Sequence, residues 1–116
     1  MGNKNNAINY IEFPLVKNEE TKQFYNQAFG WEFTQWGPKY LSFSGAGVDG
    51  GFNGEDDAGV TPPGVLVVLY ANDLLKKCQE VENAGGKINK PIYGFPGGER
   101  FHFLDPNGNE LAVWSE

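Results

Sequence analysis

The sequence predicts an α+β fold made of two copies of one module, in which a strand is followed by a helix and three more strands. The order of these elements repeats after about fifty-five residues. Each half begins with a short strand-like segment and continues with an amphipathic helix. The chain of 116 residues, 40% of them hydrophobic, is also long enough to bury a core without disulfides or a structural metal.

The first module is predicted at residues of about 7–54. The segment "INYIEF" alternates between two faces, with Ile11 and Phe13 on the same one, which is typical of a strand. Asn18 is predicted to cap the following helix, and Gly30 to close it. Turn signals then separate three further predicted strands, "WEFTQW", "KYLSFS" and "GVDGGF".

The second module is predicted at residues of about 64–115, after a linker at about 54–64. The acids, glycines and paired prolines of that linker bury little apolar surface. The segment "VLVVLYA" predicts a strand, Asn72 or Asp73 is expected to cap the next helix, and Gly85 to end it. The remaining predicted strands are "KINKPIY", "ERFHFL" and "ELAVWS".

Charge and cysteine content exclude several classes of function. The formal net charge is −6, and the basic residues form no cluster that would meet phosphates, so we expect no nucleic-acid or membrane partner. The longest apolar run is far too short to span a bilayer, and the first residues lack the pattern of a signal peptide, which predicts a cytoplasmic protein. Cys78 is the single cysteine, so no internal disulfide can form.

Two short motifs resemble known binding loops but lack the required context. "GAGVDG" matches a dinucleotide-binding glycine pattern, yet no helix can follow it to hold a pyrophosphate. "DPNGNE" begins like a calcium loop, but Glu110 stands at position six, where such a loop needs glycine, and Gly108 stands two positions too early. We therefore interpret "DPNG" as a tight turn between two strands.

Three longer segments together are similar to a known family. "FYNQAFGWEF", "NDLLKKCQEVENAGGKI" and "FLDPNGNELAVW", in this order and at these distances, resemble the glyoxalase/bleomycin-resistance/extradiol-dioxygenase superfamily, also called vicinal oxygen chelate proteins. The resemblance implies one domain over residues 1–116. In that domain two βαβββ modules form curled mixed sheets around a cup, with helices on the outer faces. It also implies a homodimer.

The resemblance further implies where metal ligands would stand, and this chain has unsuitable residues there. The first-strand positions fall on Tyr10 and Leu66, and the last-strand positions on Ala112 and Gly51. Three of these side chains have no donor atom, and a neutral phenol is a poor ligand for a divalent cation. We therefore expect no metal and no other cofactor, and neither glyoxalase isomerisation nor ring-cleaving oxygenation.

Strand alternation predicts which side chains face the cup. Val65 and Leu75 are instead expected to face the core. Glu12 and Arg100 are expected either to contact a ligand or to form an ion pair with each other. The predicted ligand-binding set is Tyr10, Glu12, Leu66, Val68, Tyr70, Arg100, His102, Glu110 and Trp114.

The composition of this set is typical of a small-molecule site, because aromatic and aliphatic groups surround a few polar ones. The leading hypothesis is a binding protein for a small aromatic or cationic compound. One alternative is an enzyme such as an isomerase, a lyase or a dioxygenase-like protein. It would use Glu12, His102 and Glu110 as acid and base groups or as a relocated metal site. Another is an interaction domain whose cup is filled by its own side chains.

Overall fold

The computed structural model describes residue 5 and residues 8–55 and 65–116, and its elements follow the predicted order. Most of the predicted linker lies outside these residues. The first module consists of β1 (Tyr10–Pro14), α1 (Asn18–Phe29), β2 (Glu32–Gln35), β3 (Tyr40–Ser44) and β4 (Asp49–Asn53). The second consists of β5 (Val67–Tyr70), α2 (Leu74–Asn83), β6 (Lys87–Phe95), β7 (Gly98–Leu104) and β8 (Glu110–Ser115).

Each module forms one mixed sheet of four strands. The strand orders are β1-β4-β3-β2 and β5-β8-β7-β6, so the first strand of each module lies at a sheet edge. That edge strand pairs in parallel with the last strand of its own module, and the other pairs are antiparallel. The fold class predicted from the repeated pattern is therefore confirmed.

The helix boundaries follow local chemistry, with one correction. Asn18 is not the cap of α1, because Lys17 holds that position and the Asn18 amide instead hydrogen-bonds the Gln35 side chain. Gly30 ends α1 with a φ of 75°, a left-handed conformation that glycine adopts without strain. Asp73 caps α2 as predicted, since its carboxylate accepts a hydrogen bond from a backbone N–H one turn later.

One hydrophobic core joins both modules. Phe24 of α1 is fully buried, and its ring centroid lies 5.7 Å from that of Phe103 in the second sheet. The expectation for Val65 and Leu75 was wrong, because these side chains are 93% and 62% exposed. Val65 precedes the first residue of β5, so strand alternation does not apply to it.

None of the helices in the described part of the chain is long and apolar enough to cross a membrane.

The "DPNGN" turn between β7 and β8 fastens α1 to the second module. Both carboxylate oxygens of Asp105 are occupied: one accepts the backbone N–H groups of Asn107 and Asn109, and the other accepts the Tyr25 hydroxyl at 2.9 Å. The Asn107 side chain accepts the two backbone N–H groups just before α1 and donates to Thr21. These contacts explain the motif as a structural turn, in agreement with its interpretation from the sequence.

Candidate functional site

A cluster of phenols lies on the first sheet, on the face opposite the core. The hydroxyl oxygens of Tyr10 and Tyr40 are 2.5 Å apart, and Tyr40 donates a hydrogen bond to the Glu12 carboxylate at 2.9 Å. Asn53 donates to the other Glu12 oxygen. Burial, and then the hydrogen bonds to Tyr10 and Glu12, raise the pKa of Tyr40 far above its usual range. Tyr40 therefore stays in the protonated form.

Gly51 provides the space for this cluster. A β-carbon at position 51 would lie 2.6 Å from the Tyr40 hydroxyl and 2.7 Å from the Tyr10 hydroxyl. Any side chain at this position would displace the two phenols or the strand. The position where the resemblance places a metal ligand is thus filled by side chains from neighbouring strands.

A chain of four polar side chains lies on the second sheet. Arg100 donates from Nε to the Tyr93 hydroxyl at 2.5 Å, and that hydroxyl lies 3.0 Å from Nε2 of His102. Nδ1 of His102 lies 2.8 Å from a carboxylate oxygen of Glu110. His102 is only 3% exposed, whereas the other three members are half-buried. These four side chains connect a guanidinium to a carboxylate through a phenol and an imidazole.

An irregularity in β6 brings Tyr93 into this chain. Lys90 is paired with His102, and Tyr93 is paired with Arg100. Between these two pairs β6 advances by three residues and β7 by only two. Pro91, which has no N–H to donate to a neighbouring strand, lies in this bulge. Regular alternation would have placed residue 92 opposite Arg100. The bulge instead puts Tyr93 there, and sequence patterning did not identify it.

The charge of Glu110 fixes the direction of the hydrogen bonds. The hydrogen bond from His102, with smaller contributions from Asn89 and Lys90, lowers the pKa of Glu110 despite some burial. An ionised carboxylate only accepts, so Nδ1 of His102 carries the proton. In a neutral imidazole Nε2 then accepts, and the Tyr93 hydroxyl is its donor. All three bonds therefore run in one direction, from the guanidinium to the carboxylate.

A row of aromatic rings extends along the second sheet next to this chain. The ring centroids of Tyr70 and Trp114 are 5.2 Å apart in an edge-to-face arrangement, and those of Trp114 and Phe95 are 6.3 Å apart. The Arg100 guanidinium lies 5.7 Å from the Phe95 centroid and 5.6 Å from that of Tyr93. The row thus already holds one flat cation against its rings.

A cavity of about 680 Å³ opens between the two modules. Its volume lies within the range of small-molecule pockets. Tyr70 belongs both to this cavity and to the ring row, so the two surfaces are continuous. The charge of Lys77 at its edge is neutralised by Glu80 at 2.9 Å. Its aromatic lining comprises Phe13, Phe29, Trp31, Phe43 and Tyr70.

The predicted binding residues fall into separate groups. Tyr10 and Glu12 belong to the phenol cluster on the first sheet. The second sheet carries the other polar members and the rings: Arg100, His102, Glu110, Tyr70 and Trp114. Val68 and Tyr70 line the cavity, and Leu66 is half-buried just before β5.

The predicted ion pair between Glu12 and Arg100 is wrong, because each of these residues has a tyrosine partner on its own sheet. The described residues also contain no group of three His, Cys, Asp or Glu side chains that could hold a metal ion. A relocated metal site formed by His102, Glu12 and Glu110 therefore does not fit this structure.

Cys78 is half-buried, and burial raises the pKa of its thiol.

Comparison with known proteins supplies a family and a set of structural relatives. The family model of the Glyoxalase/Bleomycin resistance protein/Dioxygenase superfamily matches residues 7–113. Among curated proteins, no sequence matches this chain closely enough to count as a relative.

Several solved structures have the same fold. A glyoxalase-related enzyme from Fulvimarina pelagi superposes with a TM-score of 0.80 at 20% identity, over 96% of this chain and 88% of that one. The antibiotic-binding protein TnmS3 from a Streptomyces species gives 0.69 at 23% identity, over 94% of both chains. A lactoylglutathione lyase from Agrobacterium tumefaciens gives 0.74 at 16% identity, over 97% of this chain and 95% of that one. At these identities the likeness concerns the fold alone.

Proposed function

The chain belongs to the Glyoxalase/Bleomycin resistance protein/Dioxygenase superfamily, and we propose that within it the chain is a metal-independent binding protein for a small aromatic compound. The proposal takes the whole chain as one domain, with a linker between its two modules. A cytoplasmic location remains a prediction from composition. One structural relative, TnmS3, is described as an antibiotic-binding protein, which supports the same class of function here.

The observation that carries the proposal is the continuous aromatic surface from the cavity to the ring row. Tyr70 lines the cavity and packs edge-to-face on Trp114, so a planar ligand can contact both. The cavity is about 680 Å³, which accommodates a drug-sized molecule. The aliphatic side chains beside these rings would exclude water from the bound ligand.

The charges around the ring row favour a neutral or cationic ligand. The Tyr70 hydroxyl donates to the Glu116 carboxylate at 3.0 Å, which places a negative charge at the cavity end of the row. The formal net charge of −6 also disfavours anionic ligands. At the other end Arg100 already occupies the ring faces, so a cationic group is expected near Tyr70.

Titration with berberine, a flat aromatic cation, tests this proposal. We expect binding to be weakened about fivefold by Trp114→Leu, because one aromatic contact contributes about 1 kcal/mol beyond its buried area. Leu75→Ala, an exposed position on α2, is the control and is expected to leave the affinity unchanged. Equal affinities for Trp114→Leu and the wild type would contradict binding on the ring row. Absence of binding would favour the interaction-domain alternative.

We further propose that the protein is a homodimer in which the exposed aromatic faces meet. Tyr10, Trp36 and Tyr70 are 45%, 62% and 52% exposed, and Tyr and Trp are enriched where two proteins meet. Such a dimer could join the phenol cluster of one copy to the ring row of its partner. Trp36→Glu is expected to give monomers in sedimentation velocity, while Leu75→Glu is expected not to. A wild-type monomer at high protein concentration would contradict this arrangement.

A second candidate function, an enzyme that uses acid–base chemistry, is favoured by the hydrogen bond between His102 and Glu110. A buried imidazole oriented by a carboxylate is a common general base. Glu12 lies on the other sheet and would not take part within one chain. Loss of any proton-transfer activity in Glu110→Gln would support this candidate. Wild-type activity in that variant would contradict it.

A further inference from the structure

We propose that Tyr93 is the catalytic residue of a proton-transfer site on the second sheet. Its hydroxyl oxygen would take a proton from a weakly acidic C–H or O–H group of an aromatic substrate and pass its own proton to His102. The proposal rests on the second candidate function above and assigns the reacting atom, which the sequence did not identify.

The first argument is the hydrogen-bond inventory of the Tyr93 oxygen. Its proton is committed to Nε2 of His102 at 3.0 Å, and it accepts one bond from Nε of Arg100 at 2.5 Å. A phenol oxygen has acceptor capacity for a further bond. A substrate that meets this oxygen must therefore act as the donor, which is the geometry of a base.

The second argument is that each product of the proton shift has a counter-charge in place. A proton moved from Tyr93 to His102 creates an imidazolium, and Glu110 lies 2.8 Å from its other nitrogen. The guanidinium of Arg100 lies beside the oxygen that gives up the proton. No charge formed in the step is left without a partner.

The phenol cluster on the first sheet shows the contrasting case. Tyr40 donates directly to the Glu12 carboxylate and has no cation among its hydrogen-bond partners. Its pKa is raised, first by burial, so this phenol resists giving up its proton. Within the described residues, the second sheet alone combines a phenol, a base and a guanidinium, and a bulge in β6 brings them together.

The step is balanced as a general-base reaction. The substrate proton bonds to the Tyr93 oxygen while the Tyr93 proton bonds to Nε2 of His102. The electron pair released from the substrate stays on the substrate as an anion or expels a leaving group within it. The cycle closes when Tyr93 gives the substrate proton to water and takes back its own proton from Nε2 of His102, since the imidazole itself is only 3% exposed. Arg100 and the neighbouring rings favour an aromatic substrate whose product carries a phenolate-like negative charge.

The protonation state of His102 directly tests the direction of the hydrogen bonds among these side chains. His102 is the single histidine of the sequence, so its ring signals need no assignment. Nitrogen-15 NMR of the uniformly labelled wild type should show a protonated Nδ1 and a bare Nε2 once the imidazole is neutral. The opposite tautomer would overturn the proposal, since Nε2 could then accept nothing from Tyr93. This measurement requires no variant.

Elimination of nitrobenzisoxazole tests the chemistry. In this reaction a base removes the ring C–H proton, the N–O bond breaks, and a nitrile and a coloured phenolate form. We expect wild-type protein to exceed Tyr93→Phe by about tenfold or more. Tyr40→Phe, the matched loss of a hydroxyl on the first sheet, should retain the wild-type rate. Urea unfolding of both variants checks that they are folded.

The outcomes distinguish the role of Tyr93 from the acid–base function on which it rests. A rate lost in Glu110→Gln but kept in Tyr93→Phe would overturn the role of Tyr93 and leave His102 as the direct base. A wild-type rate no higher than the rates of Tyr93→Phe and Glu110→Gln, including no rate above buffer, would overturn both the role of Tyr93 and the acid–base function. A rate lost in Tyr93→Phe and kept in Tyr40→Phe supports the assignment.

Discussion

The substitution Asp105→Asn tests whether the turn between β7 and β8 fastens the two modules together. The change keeps the shape of the side chain but replaces one carboxylate oxygen with an NH₂ group. One oxygen of Asp105 now accepts the Tyr25 hydroxyl and the amides of Asn107 and Asn109. The other accepts two backbone N–H groups. In either orientation, the new NH₂ group faces at least two donors.

The magnitude follows from this count. Asp105 is 5% exposed, so the donors that lose their acceptor cannot turn to water. Each lost bond of this kind costs about 1–1.5 kcal/mol, which for two or three donors gives a loss of about 3 kcal/mol in the free energy of unfolding. For a chain of this length that loss corresponds to a decrease in Tm of about 10 °C.

Urea unfolding followed by circular dichroism measures the effect. Asp73→Asn is the matched control, because Asp73 caps α2 at an exposed position and asparagine caps a helix equally well. Its free energy of unfolding should change by less than about 0.5 kcal/mol. If Asp105→Asn lost less than about 1 kcal/mol, the turn would not be a significant clamp and the reasoning would be refuted.

Two further substitutions test the clusters on the sheets. Gly51→Ala should lower the free energy of unfolding by about 1–3 kcal/mol, because its β-carbon would lie 2.6 Å from the Tyr40 hydroxyl. Gly94→Ala is the control, because its β-carbon would have no neighbour nearer than 4.0 Å, and equal unfolding midpoints would contradict the crowding. For Glu110, whose pKa is lowered by His102, the added stability is present above the ordinary glutamate pKa and lost as pH falls through the lowered one. The stability difference between wild type and Glu110→Gln should therefore shrink from neutral pH to about pH 3 in urea unfolding, and a constant difference would refute this coupling.

Strand alternation predicted the faces of β7 and β8 because it depends only on neighbouring residues. Phe101 and Phe103 are fully buried, as are Leu111 and Val113, whereas Glu110 and Trp114 lie on the opposite face. The repeat of the modules followed from the same local signals. Fold class was therefore accessible from the sequence.

The partners of the polar residues were not accessible in the same way. Tyr40 meets Tyr10 and Glu12 across thirty and twenty-eight positions of sequence, and no local pattern encodes that contact. Tyr93 reaches His102 only through an irregular strand pairing. Pro91 was the available signal, since proline within a predicted strand is typical of a bulge or an edge.

The two modules have put small residues at the positions where the family resemblance places ligands on the last strands, but with opposite chemical consequences. On the first sheet, Gly51 admits two phenols, and burial followed by the hydrogen bonds to Tyr10 and Glu12 raises the pKa of Tyr40. On the second sheet, Ala112 lies directly opposite His102 in the strand register and adds only a methyl group beside the imidazole. The phenol that reaches this histidine meets a guanidinium rather than a carboxylate. Gly51 thus leaves room for a phenol that stays protonated, whereas Ala112 lies beside an imidazole, a phenol and a guanidinium that are suited to move a proton.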